Sequence, residues 1–471
     1  MLHVSTRGEA PAIGFTDALL AGLAPDGGLY VPQTWPGLSE GTIASFAGRP
    51  YANVAKAVLS PLVDGEIAAP DLDRMIDESY AGFRHPAVCP LMQVDENLFM
   101  LELFHGPTLA FKDVAMQLLA RLIDHVLKAR GQRATIVGAT SGDTGSAAIE
   151  AFRGMDQVDL FIIYPHGRVS EVQRRQMTGV DAPNIHALAI EGTFDDAQAI
   201  VKTLFNDLRF RDEVALSGVN SINWARVAAQ AVYYFTAAVA LGSPYRPVSF
   251  AVPTGNFGDV LAGWVAKRMG LPIGRLMIGT NANDILARAI ATGSYEVRGV
   301  TPTTSPSMDI QVSSNFERLL FEAHGRDAAA LRRKMAGLAQ SRSFSIEADP
   351  LARIRAEFAA QSVDEPAVMD EIGATWREAG YLVDPHTAIG LRAGRSLLKD
   401  QPETPVVALA TAHPAKFPDA VERATGVRPP RPPHLADLLE RSERFSVVAN
   451  DRTAVECFIR ERTRSVKEAA A

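Results

Sequence analysis

The sequence predicts an α/β protein built on two parallel sheets with helices on both faces, preceded by an N-terminal domain. Two observations carry this. Short uninterrupted apolar runs, such as Val406 to Ala410, alternate with amphipathic helices, the pattern of strands buried on both faces. The length of 471 residues also exceeds what one hydrophobic core supports, so two or three domains are expected.

In chain order, the first hundred residues are rich in turns, with Pro25-Asp26-Gly27-Gly28 and Pro36-Gly37, and carry helical patches near 43–46 and 72–80. They read as a domain over 1–90. A catalytic region over 91–430 follows, with a small domain inserted at roughly 115–215. Its repeating unit is strand, Gly-bearing turn, helix. The strand 134–139 leads through the turn 140–145 to a helix over 146–153. Another β-rich run is 160–164. The strand 185–190 leads to a helix over 195–208, and 248–252 leads through 253–258 to a helix over 259–269. Residues 276–279 and 406–410 are further buried strands. The apolar stretch 227–241 contains Gln230 and Thr236 and is shorter than the ~20 residues of a membrane span, so it reads as a core helix. Arg428-Pro429-Pro430-Arg431-Pro432-Pro433 is a stiff connector, since proline continues neither a helix nor a central strand. It leads to a terminal extension over 431–471 packed on the catalytic region.

Composition narrows the function. Net charge is −7, so no basic excess is offered to nucleic acid or to an anionic membrane, and an anionic ligand needs a local site. The 2 cysteines exclude a disulfide framework or a Cys-rich metal site; no metal is expected. Met1 to Ala10 holds Arg7 and Glu9 and no apolar run, which does not read as a signal peptide, so the cytoplasm is the expected location.

Four segments carry candidate chemistry. In Glu102-Leu103-Phe104-His105-Gly106-Pro107-Thr108-Leu109-Ala110-Phe111-Lys112-Asp113, a Gly-Pro turn precedes a helix whose apolar side is Val114, Leu118, Leu122 and Val126. Lys112 sits at that helix start beside Phe111. Apolar surroundings and the positive end of a helix dipole both ease loss of its proton, and Schiff-base chemistry needs the neutral amine. A lone lysine in a turn is equally an ordinary surface charge. Gly138-Ala139-Thr140-Ser141-Gly142-Asp143-Thr144-Gly145-Ser146 and Pro253-Thr254-Gly255-Asn256-Phe257-Gly258-Asp259 both join a strand to a helix. Their glycines let backbone N–H groups approach an anion at a helix start, although a tight capped turn has the same composition. Thr411-Ala412-His413-Pro414-Ala415-Lys416-Phe417 follows a strand, where open α/β sheets bind ligands. His413 satisfied by local hydrogen bonds and Lys416 as a solvated charge are the plainer readings. Two anion-cradling loops and a shielded amine together suit a pyridoxal-phosphate (PLP) enzyme acting on a phosphorylated substrate.

Here the sequence resembles the threonine synthase family. The segment His105 to Asp113 resembles that family's cofactor-lysine motif, and the segments around 139–145, 255–259 and 411–417 resemble its other signatures in the same order. Further likenesses are Ser5-Thr6-Arg7-Gly8, Asp26-Gly27-Gly28-Leu29-Tyr30, Thr280-Asn281-Ala282-Asn283-Asp284 and Ser313-Ser314-Asn315-Phe316-Glu317-Arg318. The likeness spans nearly the whole chain and fits the longer subfamily with an extra N-terminal domain.

The resemblance implies PLP fold-type II and a carbon–oxygen lyase acting on phosphates. It implies that O-phospho-L-homoserine and water give L-threonine and phosphate, by γ-elimination and then β-addition of water. Lys112 would carry PLP as a Schiff base and serve as the base for the α- and β-protons. Gly255, Asn256, Phe257, Gly258 and Asp259 would surround the cofactor phosphate. Thr411 would meet the pyridine nitrogen and leave it largely unprotonated. Ser141, Asp143, Thr144, Asn315, Arg318 and Lys416 would bind substrate, with Asp143 standing where the wider fold-type often has Asn. The expected assembly is a monomer or homodimer. A phospholyase of the same fold that releases a 2-keto acid, or an inactive PLP-fold interaction protein, would share these motifs. A phosphate-ester hydrolase would not, as the chain has no metal-ligand spacing and no nucleophile elbow.

Overall fold

The apolar runs become strands in the positions their composition dictates. Val248–Pro253 and Val406–Ala410 are buried at every residue. In the computed structural model, which describes residues 1–218 and 220–466, the chain forms two compact units. One comprises Met1–Leu19, Leu23–Phe111 and Ser221–Pro430; the other comprises Leu20–Gly22, Lys112–Asn220 and the residues from Arg431.

The first unit holds a sheet of six strands in the spatial order Phe358–Ser362, Ile273–Thr280, Val248–Pro253, Val406–Ala410, Leu98–Glu102, Leu91–Asp95. All pairs are parallel except the edge hairpin Leu91–Asp95/Leu98–Glu102. The helix Pro385–Asp400 packs on this sheet. Pro385 pre-sets its first turn, and the Asp384 carboxylate caps it, accepting from the amides of His386 and Thr387 at 3.0 Å each. The core stretch forms the helix Trp224–Ala240, which begins earlier than 227 because Asn223 caps it. Its two polar residues are accommodated locally: Thr236 donates to the Tyr233 carbonyl and Gln230 is buried. Near the amino end of the chain, His3–Ser5 and Tyr30–Pro32 form a small antiparallel ladder. The Asp26 carboxylate secures its turn, accepting from Ser5 Oγ and from the amides of Glu9, Ala10 and Gly28. Partial burial alone would raise this carboxyl's pKa, but the four bonds outweigh it and hold it below the ordinary range.

The second unit holds a wholly parallel sheet of five strands, in the order Ser446–Val448, Ile185–Ile190, Val158–Pro165, Ala134–Ala139, Leu216–Ser217. The helix expected from 146 starts three residues earlier, as Asp143–Phe152, with Gly142 at its N-cap. The helix expected over 195–208 is Phe194–Asn206, started by a capping box between Thr193 and Asp196; Asp207 then caps a separate short helix, Leu208–Glu213.

The terminal extension enters this unit. Ser446–Val448 adds an edge strand, and the helix Arg452–Arg462 sends Val455 and Ile459 into the core beside Phe161, Leu188 and Leu204. The expected extension's last residues, 467–471, lie outside the described residues. Among the described residues, no helix is long and apolar enough to cross a membrane.

The buried Asp159 anchors that extension: it accepts from the Arg464 amide and Nε, at 2.7 Å each. Arg464 is partly exposed, so the buried carboxylate and amide dominate the contribution. Asp159→Ala is expected to cost about 1–3 kcal/mol. It should release the C-terminal helix first, seen as faster limited proteolysis near 452–466 before global unfolding.

Candidate cofactor and active site

The expected site residues divide between the units. Lys112, Ser141, Asp143 and Thr144 belong to the second; Gly255 to Asp259, Asn315, Arg318, Thr411 and Lys416 belong to the first.

In the first unit, Val248–Pro253 sends the chain to Ile273–Thr280 on one side, while Val406–Ala410 lies on its other flank. The carboxyl ends of these two strands therefore form the topological switch point, where a ligand finds the crevice. Both expected loops emerge there. Phe257 takes a left-handed conformation (φ +64°) as N-cap of the helix Gly258–Arg268, and no side chain caps that helix start. A Cβ on Gly255 would sit 3.1 Å from the Ser307 carbonyl oxygen and 3.3 Å from Met308 Cα, so only glycine fits without a shift. Asp259 is buried; its carboxylate accepts from the hydroxyls of Tyr233 and Tyr234. Burial and this carboxylate together raise both phenols far above their usual range.

Asn315 and Arg318 stand behind the loop. Asn315 Nδ2 donates to the carbonyls of Asn256 at 3.0 Å and Ser221 at 2.9 Å, and its amide also reaches Asn256 O. The buried Arg318 guanidinium donates to Tyr30 O, Ile222 O and Asn315 Oδ1. Its observed contacts are thus with carbonyls and an amide. Beside it, the Glu317 carboxylate accepts from Thr6 Oγ1 and Arg7, joining the Ser5–Gly8 segment to the Ser313–Arg318 segment. Asn281 and Asn283 hold the 301–309 turn against Gly255: both donate to Asp309 Oδ1, as does Thr303 Oγ1.

The lysine motif and the 411–417 loop form one structure. Phe111 N donates to Thr411 O (2.9 Å), His413 N to Leu109 O (3.0 Å), and Ala110 bridges Ala412. Leu109 is held at φ +63°, a conformation that costs a non-glycine residue about 1–2 kcal/mol unless its surroundings impose it. Lys416 is buried, not solvated, with Nζ donating to Thr108 O at 2.9 Å. His413 Nδ1 accepts from the Ala415 amide, the locally satisfied arrangement. Glu102, at the strand end, takes hydrogen bonds from His105 and Tyr381; these outweigh its burial and hold its carboxyl below the usual range.

In the second unit, Lys112 opens the helix Lys112–Ala129 and is buried, which excludes the surface-lysine reading. Its Nζ lies 3.5 Å from Asp143 Oδ2, within ion-pair reach but long for a hydrogen bond. Asp143 Oδ1 accepts from Gln173 Nε2 at 2.9 Å. The 140–145 loop occupies this sheet's own switch point, between Ala134–Ala139 and Leu216–Ser217. Thr140 Oγ1 accepts from the amides of Gly142 and Gly145, closing the loop. A Cβ on Gly142 (φ +143°) would meet Gln173 Cδ at 2.4 Å. Ser141 is exposed and Thr144 half-buried, while Asp143 is turned inward.

Sequence reasoning missed three groups. Gln173, which clamps Asp143, has no distinguishing local pattern. Asp384-Pro385-His386-Thr387 opens the helix Pro385–Asp400 and also holds an Asp–His pair: His386 Nδ1 lies 2.6 Å from Asp384 Oδ2, and the buried Nε2 has no hydrogen-bond partner among the described residues. Arg226 precedes the apolar run by one residue; a cation entering a core helix was the available signal.

These features fit PLP. A phosphate suits an uncapped helix start lined by glycines, and an aldehyde suits a buried lysine. Comparison with known proteins agrees. Residues 90–412 match the family model for pyridoxal-phosphate dependent enzymes, residues 2–80 that for the threonine synthase N terminus, and residues 387–459 that for the threonine synthase C-terminal region. The chain is 52% identical to threonine synthase of Pseudomonas aeruginosa, over 98% of each chain. It matches the crystal structure of PLP-bound threonine synthase from Brucella melitensis with a TM-score of 0.97 and 61% identity, covering 98% of this chain and 100% of that one. The yeast threonine synthase structure gives a TM-score of 0.93 at 38% identity, covering 98% of each chain. Fold and site thus define a PLP-dependent enzyme of fold-type II. Within that class, the chain belongs to the threonine synthase family.

Gly255→Ala should force the loop against the 305–308 turn. Overpacking of this kind costs about 1–3 kcal/mol, so PLP affinity is expected to fall by roughly 5- to 150-fold. Fluorescence titration of the cofactor-free protein measures it.

Proposed function

We propose that this chain converts O-phospho-L-homoserine and water to L-threonine and orthophosphate, as the last step of threonine formation. The observation that carries the reading is the buried Lys112, facing an inward carboxylate at the mouth of a glycine loop, in a chain whose threonine synthase relatives match it end to end. The reading sets the enzyme in the cytoplasm, as a monomer or homodimer.

Bound at Lys112, PLP supplies an electron sink for charge developing at the substrate α-carbon. The protein's own groups do the rest. The amides of the 255–259 turn would hold the cofactor phosphate, with Asn315 and Arg318 supporting that turn from behind. The Thr411 hydroxyl would meet the ring nitrogen. The Lys112 amine would act as the base for the α-proton and, once it has passed that proton on, for the β-proton, and Asp143 would stabilise its charged form. The exposed Ser141 and half-buried Thr144 sit at the open edge of their loop, where substrate arrives. Lys416, fixed to Thr108 O, adds positive charge near Thr411. In the net reaction the γ-carbon–oxygen bond to phosphate breaks, the water hydroxyl joins the β-carbon, and the γ-carbon ends as a methyl group.

Purified enzyme with O-phosphohomoserine should release phosphate and threonine in equal amounts. Phosphate accompanied by 2-oxobutyrate alone would instead assign a phospholyase. Lys112→Ala should lose nearly all turnover. Thr411→Val should retain PLP and slow proton transfer, visible as a larger α-deuterium isotope effect; unchanged kinetics would remove Thr411 from its role.

A further inference from the structure

Arg226 is a cation buried in a core helix, with no ion pair to it among the described residues. It is 4% exposed, and its buried Nη1 has no hydrogen-bond partner among the described residues. Burial pulls it down to about 10 from the usual arginine value, opposed only by the nearby Tyr233 phenol. An unpaired buried charge is among the least favourable arrangements in a protein, so it persists where a ligand supplies the opposite charge.

Its place in the fold shows which ligand. The helices Trp224–Ala240 and Gly258–Arg268 run side by side in the same direction. Gln230 Oε1 lies 3.8 Å from where a Cβ on Gly258 would sit, Tyr233 and Tyr234 reach Asp259, and the Tyr234 ring abuts Gly263. Arg226 is on the same face as Gln230, one turn toward the amino end, which is about 6 Å. Side chains on a helix also tilt toward its amino end. Helix geometry thus directs the guanidinium toward the region ahead of Gly258, the uncapped start of Gly258–Arg268. Just before the two helices the chain segments also meet, through Asn315, which bonds both Ser221 O and Asn256 O.

We propose that Arg226 is the cationic half of a phosphate site whose other half is the open amino end of the helix Gly258–Arg268. Helix amides and a forked guanidinium together suit a phosphate dianion better than a single carboxylate. The phosphate belongs to the cofactor or to the substrate. That last distinction rests on the proposed function; phosphate binding itself does not.

The test compares wild type, Arg226→Met and Arg226→Lys. In cofactor-free protein, inorganic phosphate should raise the melting temperature of wild type, partly that of Arg226→Lys, and not that of Arg226→Met. Without ligand, Arg226→Met should be at least as stable as wild type, because it removes an uncompensated charge. If the cofactor's phosphate is bound, Arg226→Met loses roughly tenfold or more in PLP affinity with no change for pyridoxal, which lacks the phosphate. If the substrate's phosphate is bound, PLP affinity holds, while the holoenzyme's KM for O-phosphohomoserine and inhibition constant for phosphate rise about as much. Equal behaviour of Arg226→Met and wild type in all arms overturns the proposal. So does equal loss of PLP and pyridoxal, or a ligand-free Arg226→Met that melts lower or fails to fold, since each assigns the guanidinium a structural role. A wild type that attaches no PLP yet responds to phosphate would refute the cofactor reading alone.

Discussion

A parallel sheet covered on both faces leaves a ligand only its carboxyl edge, at the point where the chain's crossovers diverge. Each unit obeys this constraint. In the first, the glycine loop after Val248–Pro253 and the Thr411 loop after Val406–Ala410 open side by side; in the second, the 140–145 loop opens next to Leu216–Ser217. The buried strands give the edge its rigidity, which a site needing sub-ångström placement requires.

The first unit stiffens its loop from behind. Asn315 holds Asn256, Arg318 holds Asn315, and Arg318 itself rests on Tyr30 and Ile222. The segments near the start of the chain thus act at a distance: Thr6 and Arg7 fix Glu317, the residue preceding Arg318. Charge is handled differently in the second unit. There Lys112 and Asp143 offset one another, and Gln173 keeps the carboxylate oriented.

Much of this was legible in the sequence, for physical reasons. Strands such as 134–139, 185–190 and 406–410 are short, mainly apolar runs suited to a doubly covered sheet, and their limits matched the structure. Helix starts were less legible: Asp143 begins its helix because Gly142 adopts a positive φ, which composition does not report. The edge strand Ser446–Val448 is short and half-buried, without an alternating pattern to betray it. Polar groups that act by position alone, Gln173, Arg226 and His386, depend on neighbours far away in sequence. The family likeness implied roles for Lys112 and Thr411; the structure adds that Arg318 bonds backbone carbonyls and Asn315 and that Lys416 lies in the interior.

The central claim is that one amine carries the cofactor. Borohydride reduction of the PLP-loaded protein followed by peptide mass spectrometry tests it most directly. The account predicts a single phosphopyridoxyl adduct, on Lys112. An adduct on another lysine, or none after saturation with PLP, would contradict it.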